Sequence, residues 1–209
     1  MIEALLQLLA PVHCVFCAKA KTLFCLNHQP PRLATAENLP NMQGYFASEL
    51  DPAMLAALAA FKDRSMTALA PVFAKMIGPL IDAEPWQSAD VVAVPPSSSK
   101  AYRSRGFVPV IQILRHSKNS KPILRLQLTR KIQDQRLLDA RSRQENLLNA
   151  FRAKGVAGKK VVLFDDVLTT SSTLQEMRTA IELAGGQVTG FCVLARRFVD
   201  SNMELEIKA

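Results

Sequence analysis

Three stretches of the chain are apolar at nearly every position, and the stretches between them carry apolar residues at helical spacing. "ADVVAVPP" (89–96), "GKKVVLFDD" (158–166) and "QVTGFCVLARR" (187–197) are short and rich in β-branched residues. Each is bounded by turn formers, which predicts a buried strand. "GFVPVIQILRHS" (106–117) and "STLQEMRTAIELAGG" (172–186) read as helices, the second ending on Gly185–Gly186. The Ala- and Leu-rich segment 51–84 predicts two helices, broken near "FKDRS" and ended around Pro85. Strands without a polar face, alternating with helices, predict an α/β fold: a parallel sheet flanked by helices on both sides.

The remaining segments lack so clear a period. Residues 31–50 fit a linker or short strands, and the Arg- and Gln-dense run 128–151 fits a partly mobile loop leading into a helix. Residues 1–30 form a distinct head, with a short Leu-rich helix stopped at Pro11 and then "HCVFCAKAKTLFCLNHQPP". The expected division is a head over 1–30 and an α/β domain over 31–209.

Ligands of open parallel sheets bind beyond the carboxyl ends of the strands. Two polar loops fall there, "PPSSSKAYRSRG" (95–106) and "DDVLTTSST" (165–173). The second opens a helix, whose unpaired N–H groups and positive dipole end suit an anion, with the hydroxyls of Thr169, Thr170, Ser172 and Thr173 as further donors. Asp165 and Asp166 would repel a phosphate unless they bind sugar hydroxyls or a divalent cation. Phosphate on the turn and ribose on the acids satisfies both halves. A plain Ser/Thr helix cap with incidental surface acids leaves both aspartates unexplained.

Charge and cysteine usage sharpen this picture. Lys and Arg outnumber Asp and Glu by 26 to 18, a formal charge of +8, so a nucleotide, polyphosphate or nucleic acid is a natural partner. The opening "MIEALLQLLAP" is short and carries Glu3 where an export signal is basic. No apolar run approaches the ~20 residues of a membrane span. A cytoplasmic location is therefore expected, and there a cysteine cluster argues for metal before disulfide. Cys14-x2-Cys17 and Cys25-x2-His28 make two ligand pairs seven residues apart, a Cys3His set suited to structural Zn2+. His13 competes with His28 as fourth ligand, and a lapsed site with ordinary thiols is the plain alternative. Cys192 reads as a buried small apolar side chain, His116 as a surface residue and Trp86 as a packing anchor.

"VVLFDDVLTTSSTL" (161–174) resembles the phosphoribosyl-pyrophosphate (PRPP) motif of type I phosphoribosyltransferases. "HCVFC", "FKDR", "VAVPP" followed by "RSRGF", and "LTRKIQDQRLL…RSRQENLLNAF" narrow the resemblance to the ComF competence family, in order along nearly the whole chain. The resemblance implies a type I phosphoribosyltransferase fold with a zinc-binding head. It gives Asp165 and Asp166 the ribose hydroxyls of PRPP and the Thr169–Thr173 turn, Ser171 included, its 5′-phosphate. Pro95, Pro96 and Ser97 would face the pyrophosphate, and Arg103 and Arg105 would offer charge to the leaving group. The basic segment 128–146, with Arg141 and Arg143, would be a closing loop. Lys62 stands where the family has a lysine, which sets a phosphate contact against a solvated helix-end charge. Mg2+ would accompany PRPP.

Two positions depart from the pattern. Ser171 stands where the family usually has glycine, at a cost of ~1–2 kcal/mol if the turn requires a left-handed residue. Thr169 stands where purine-salvage relatives carry a carboxylate base, so a nucleobase N–H acceptor loses support. Two functions stay open: transfer of phosphoribosyl to an unidentified acceptor, and a single-stranded DNA-handling accessory linked to DNA uptake, in which PRPP is a regulatory ligand. A third is a degenerate fold serving as a docking surface.

Overall fold

The computed structural model describes Cys14, residues 34–130 and residues 147–198. Among these residues the centre is a six-stranded sheet. Its strands are β1 (Thr35–Leu39), β2 (Met42–Glu49), β3 (Val91–Val94), β4 (Ile123–Arg125), β7 (Lys160–Leu168) and β8 (Gln187–Arg196). They lie in the order β1-β2-β8-β7-β3-β4, with β1 antiparallel to β2 and every other neighbouring pair parallel. A small antiparallel ribbon pairs β5 (Gln127–Leu128) with β6 (Phe151–Arg152).

The predicted strands are buried because both faces are covered. Val92, Val94, Val162, Phe164, Cys192 and Leu194 point into one core, with the helices Pro52–Asp63, Ala70–Met76 and Pro109–His116. Ala93, Val161, Leu163, Phe191 and Val193 point into the other, against the helix Ser172–Leu183. Successive side chains of a strand alternate in direction, so a strand apolar at every position supplies both cores at once.

The connections out of β3 and β7 diverge. β3 leads through the helices Ser99–Arg105 and Pro109–His116 to β4, on one flank. β7 leads through Ser172–Leu183 to β8, on the other. Neighbouring strands whose connections leave in opposite directions open a crevice at their carboxyl ends. The crevice falls between the two polar loops singled out above.

Local rules explain the element that reaches this crevice from the side. Asp51 caps the Pro52–Asp63 helix by accepting a 2.6 Å bond from the Met54 N–H, and Pro52 sits in the first turn. Met54, Ala57, Leu58 and Phe61 form its buried stripe. Phe61 is fully enclosed, with ring centroids 5.4 Å from Phe73 and 5.1 Å from Phe107. Its neighbours Lys62 and Asp63 are thereby fixed at the crevice rim.

Several expectations change. Residues 35–49 are a paired hairpin, turning at Pro40 and Asn41, where Asn41 takes a φ of 61°. The second helix of 51–84 is broken into Ala70–Met76 and Gly78–Ile81, since Gly78-Pro79 interrupts the backbone ladder. Pro85 ends no helix; it lies in the first turn of Glu84–Gln87. β7 does not stop at the acids but runs on to Leu168, because Leu168 pairs with Arg196 and its carbonyl accepts from the Arg197 N–H at 2.9 Å. Residues 131–146 of the basic run lie outside the described residues, as do Cys17, Cys25 and His28 of the head. No helix among the described residues is long and apolar enough to cross a membrane.

Thr189 is the extra residue of a bulge in β8, where the register shifts between Val161 and Val162. The displaced Thr189 hydroxyl donates to the Pro85 carbonyl at 2.6 Å and ties the sheet to the neighbouring helix. Gly190, beside it, has a φ of 151°, and an added Cβ would lie 2.5 Å from the Gln43 carbonyl oxygen. Gly190→Ala is expected to cost about 3 kcal/mol or more, through backbone strain and a clash with an adjacent strand. Urea unfolding of the variant beside the wild type measures this.

Candidate functional site

Asp165 and Asp166 lie in the second half of β7, immediately after Phe164, whose ring packs edge-on against Trp86 at 5.6 Å. That packing fixes the strand up to the point where it becomes polar. The Asp166 N–H donates to Asp165 Oδ1 at 2.8 Å, which holds the first carboxylate against the backbone. Asp166 Oδ1 in turn accepts from Lys62 Nζ at 2.7 Å, with both side chains largely shielded.

The two acids therefore differ. Loss of solvent raises the Asp165 pKa from 3.8 to about 7, and the Asp166 charge adds to the rise. The Lys62 ammonium and the Asp166 N–H offset only part of it.

Opposite the acids stands the loop after β3. Ser98 caps the Ser99–Arg105 helix by accepting from the Ala101 N–H at 3.1 Å. Gly106 ends it at a φ of 76°, a left-handed position that suits glycine. Together the two loops, Lys62 and Asp63 from the side helix, and Thr129 and Arg130 after β5 enclose a cavity of about 1280 Å³. Pro95, Pro96, Ser97, Arg103, Arg105, Lys62, Asp165, Asp166, Thr169 and Thr173 all line it. These predicted residues, from three separate segments, thus share one cleft, whereas Thr170, Ser171 and Ser172 of the hydroxyl turn do not line it.

The Thr/Ser turn is less uniform than its sequence. Ser171 opens the Ser172–Leu183 helix with φ −72° and ψ −3°, a right-handed conformation. The strain that a left-handed turn would have imposed at this non-glycine position does not arise. The Ser171 hydroxyl makes no helix cap; it accepts from Gln175 Nε2 at 2.7 Å. Thr170 Oγ1 donates to Ser172 Oγ at 3.3 Å. Thr169 and Thr173 face the cavity, and the uncapped helix start leaves its first-turn N–H groups to a ligand or solvent.

Sequence reasoning missed two groups. Arg196, near the end of β8, bonds Glu37 Oε2 at 2.9 Å and reaches the Thr169 carbonyl at 3.5 Å, bracing the turn from outside the cleft. Only its place beside Leu168 in the sheet makes it visible. Asp63 reaches Arg105 Nη2 at 3.7 Å, and adjacency to Lys62 was its one signal. Lys62 itself is an ion-pair partner of Asp166, which neither of its two sequence readings named.

Of the expected zinc ligands only Cys14 is described, and it is buried. Among the described residues, no three His, Cys, Asp or Glu side chains gather as a metal set. Cys192 is buried as expected, and loss of solvent pushes its thiol far above the usual range, leaving it inert.

No known family model matches the chain, and no curated protein matches it. Similar solved structures include an adenine phosphoribosyltransferase from Thermoanaerobacter pseudethanolicus, 15% identical, with a TM-score of 0.40 over 73% of this chain and 80% of that one. Another is Mycobacterium tuberculosis orotate phosphoribosyltransferase in complex with PRPP, 17% identical, with a TM-score of 0.39 over 69% and 72%. A hypoxanthine phosphoribosyltransferase from Staphylococcus aureus is 11% identical, with a TM-score of 0.37 over 65% and 69%. Likenesses at this distance assign neither a family nor an activity to this chain.

The raised Asp165 pKa sets a pH dependence. A carboxyl that holds its proton more tightly when folded adds stability below its unfolded pKa, and that stability is lost as pH rises to about 7. Asp165→Asn keeps the acceptor for the Asp166 N–H but removes the buried charge. Its melting temperature relative to wild type is expected to climb between pH 4 and 7 and level off above. A difference flat across that range, read by thermal melts, contradicts the raised pKa.

Proposed function

We propose that the chain is a phosphoribosyltransferase-like protein of ComF type, with a type I phosphoribosyltransferase domain over 31–209, whose cleft binds PRPP with Mg2+. The observation that carries this reading is the convergence, at the carboxyl ends of β3 and β7, of an acid pair, a hydroxyl-bearing helix start and a serine- and arginine-rich loop. Each matches one part of a phosphoribosyl diphosphate. Asp165 and Asp166 accept from the ribose hydroxyls, and Thr169 to Thr173 take the 5′-phosphate at the helix start. The loop at Pro95, Pro96 and Ser97 takes the diphosphate, with Arg103 and Arg105 supplying charge.

Mg2+ fits this donor set, because it commonly uses one or two carboxylates together with ligand phosphate oxygens. When bound it neutralises charge on the departing diphosphate. The chain's own contribution is to hold the ribose between acids and turn, and to place arginines where the leaving group's charge develops. Thr169 lines the cleft but is no base at neutral pH, so an acceptor that needs deprotonation by a carboxylate at this position is disfavoured.

The head, residues 1–30, is assigned structural Zn2+ on Cys14, Cys17, Cys25 and His28, and the protein a cytoplasmic role in DNA uptake. The single-stranded DNA reading finds less support. Among the described residues the exposed aromatics are Tyr102 and Phe198, on separate segments, so no stacking platform accompanies the basic residues.

Calorimetric titration tests the ligand. PRPP is expected to bind only with Mg2+ present, and Asp165→Asn combined with Asp166→Asn is expected to weaken it by about tenfold or more, from lost charge-assisted hydrogen bonds. A wild type that ignores Mg2+·PRPP overturns the reading. Acceptor-dependent release of pyrophosphate, lost in the same double variant, separates an enzyme from a binding protein. For the head, protein purified without chelators is expected to carry about one zinc per chain and to lose it in Cys17→Ser, by atomic absorption.

A further inference from the structure

Two adjacent residues of opposite charge reach opposite walls of the cleft. Lys62 Nζ lies 2.7 Å from Asp166 Oδ1 on the acidic wall. Asp63 Oδ1 lies 3.7 Å from Arg105 Nη2 on the basic wall. Both project from the end of one helix, whose buried Phe61 holds their shared backbone in place. Two of the cleft's charges are therefore matched from within: one acid by a lysine and one arginine by an aspartate.

We infer that Lys62 and Asp63 are built-in counter-charges, and that they make the cleft select a divalent cation and a diphosphate arriving as one chelate over either ion alone. This rests on the phosphoribosyl reading for the identity of the chelate. A bare cation at Asp166 meets the Lys62 ammonium already seated there. A bare anion at Arg105 has to compete with the Asp63 carboxylate. A chelate carries both charges, replaces both pairs in one exchange, and leaves the released Lys62 and Asp63 side by side with no net charge between them. Ribose 5-phosphate, which has no diphosphate to bring a cation, is discriminated against by the same rule.

The two arms differ in weight. Lys62 and Asp166 are 24% and 14% exposed and closely paired, so their attraction is little screened. Asp63 is 48% exposed and its contact is longer, the regime in which ion pairs contribute little. The lysine arm therefore dominates the selectivity, and the aspartate arm refines it.

The test titrates each ion alone into the full chain. Mn2+ without phosphate, followed by electron paramagnetic resonance, is expected to bind Lys62→Met about tenfold more tightly than wild type, while Lys62→Arg behaves as wild type. Lys100→Met, which removes another cation lining the same cleft, is expected to change Mn2+ binding less than about twofold. Diphosphate titrated in the presence of EDTA is expected to bind Asp63→Asn about two- to threefold more tightly than wild type. Equal Mn2+ affinity in wild type and Lys62→Met, or no Mn2+ binding to Lys62→Met, overturns the inference. So does tightening of the same size in Lys62→Arg or Lys100→Met, because a general change of field would then explain it. A titration of Mg2+·PRPP into wild type runs beside these: failure there removes the phosphoribosyl reading while the Mn2+ contrast still stands or falls by itself. Melting curves confirm that each variant is folded.

Discussion

The cleft exists because β3 and β7 are parallel neighbours whose connections leave on opposite faces of the sheet. Parallel pairing puts both carboxyl ends at one edge, and the divergence of the following helices keeps that edge open. The apolar cores on either side fix where each strand ends. Phe164 belongs to one core and Leu163 to the other, so β7 cannot slide by one residue without exchanging its buried faces. That register is what brings two aspartates to the crevice while the four residues before them remain buried.

At and beside the crevice, several charges are met by a neighbour of opposite sign. Asp166 has Lys62, Arg105 has Asp63, and Arg196 has Glu37 just outside. Asp165 is answered differently: its proton, rather than a cation, offsets its burial near neutral pH. The side helix Pro52–Asp63 thus serves two purposes, since its apolar stripe completes a core and its last residues set the electrostatics of the site.

The sequence made the strands, the acid pair and the two loops legible, because continuous apolar runs and the residues that end them depend on local order alone. The hairpin at 35–49 was half legible, since its pairing depends on β8, more than a hundred residues away. The extension of β7 past the acids has the same cause: pairing with Arg196 and Arg197 outweighs the polar residues that suggested an end. Ser171 could be judged only conditionally, because order along the chain does not say whether the turn is left-handed; the helix start takes a right-handed residue there, which accepts any side chain. Lys62 was noticed as a charge, but its partner could be named only once the side helix was seen to end beside β7.

Arg196 adds a dependence that runs across the sheet. Its guanidinium holds the Thr169 carbonyl, and its own counter-charge, Glu37, comes from the outermost antiparallel strand. Among the described residues, β1 contributes nothing to the cavity lining and pairs with β2 alone. A shortened protein that kept every cleft residue but began after β1 would still leave that arginine without its acid, at a bond that joins the sheet's rim to the hydroxyl turn.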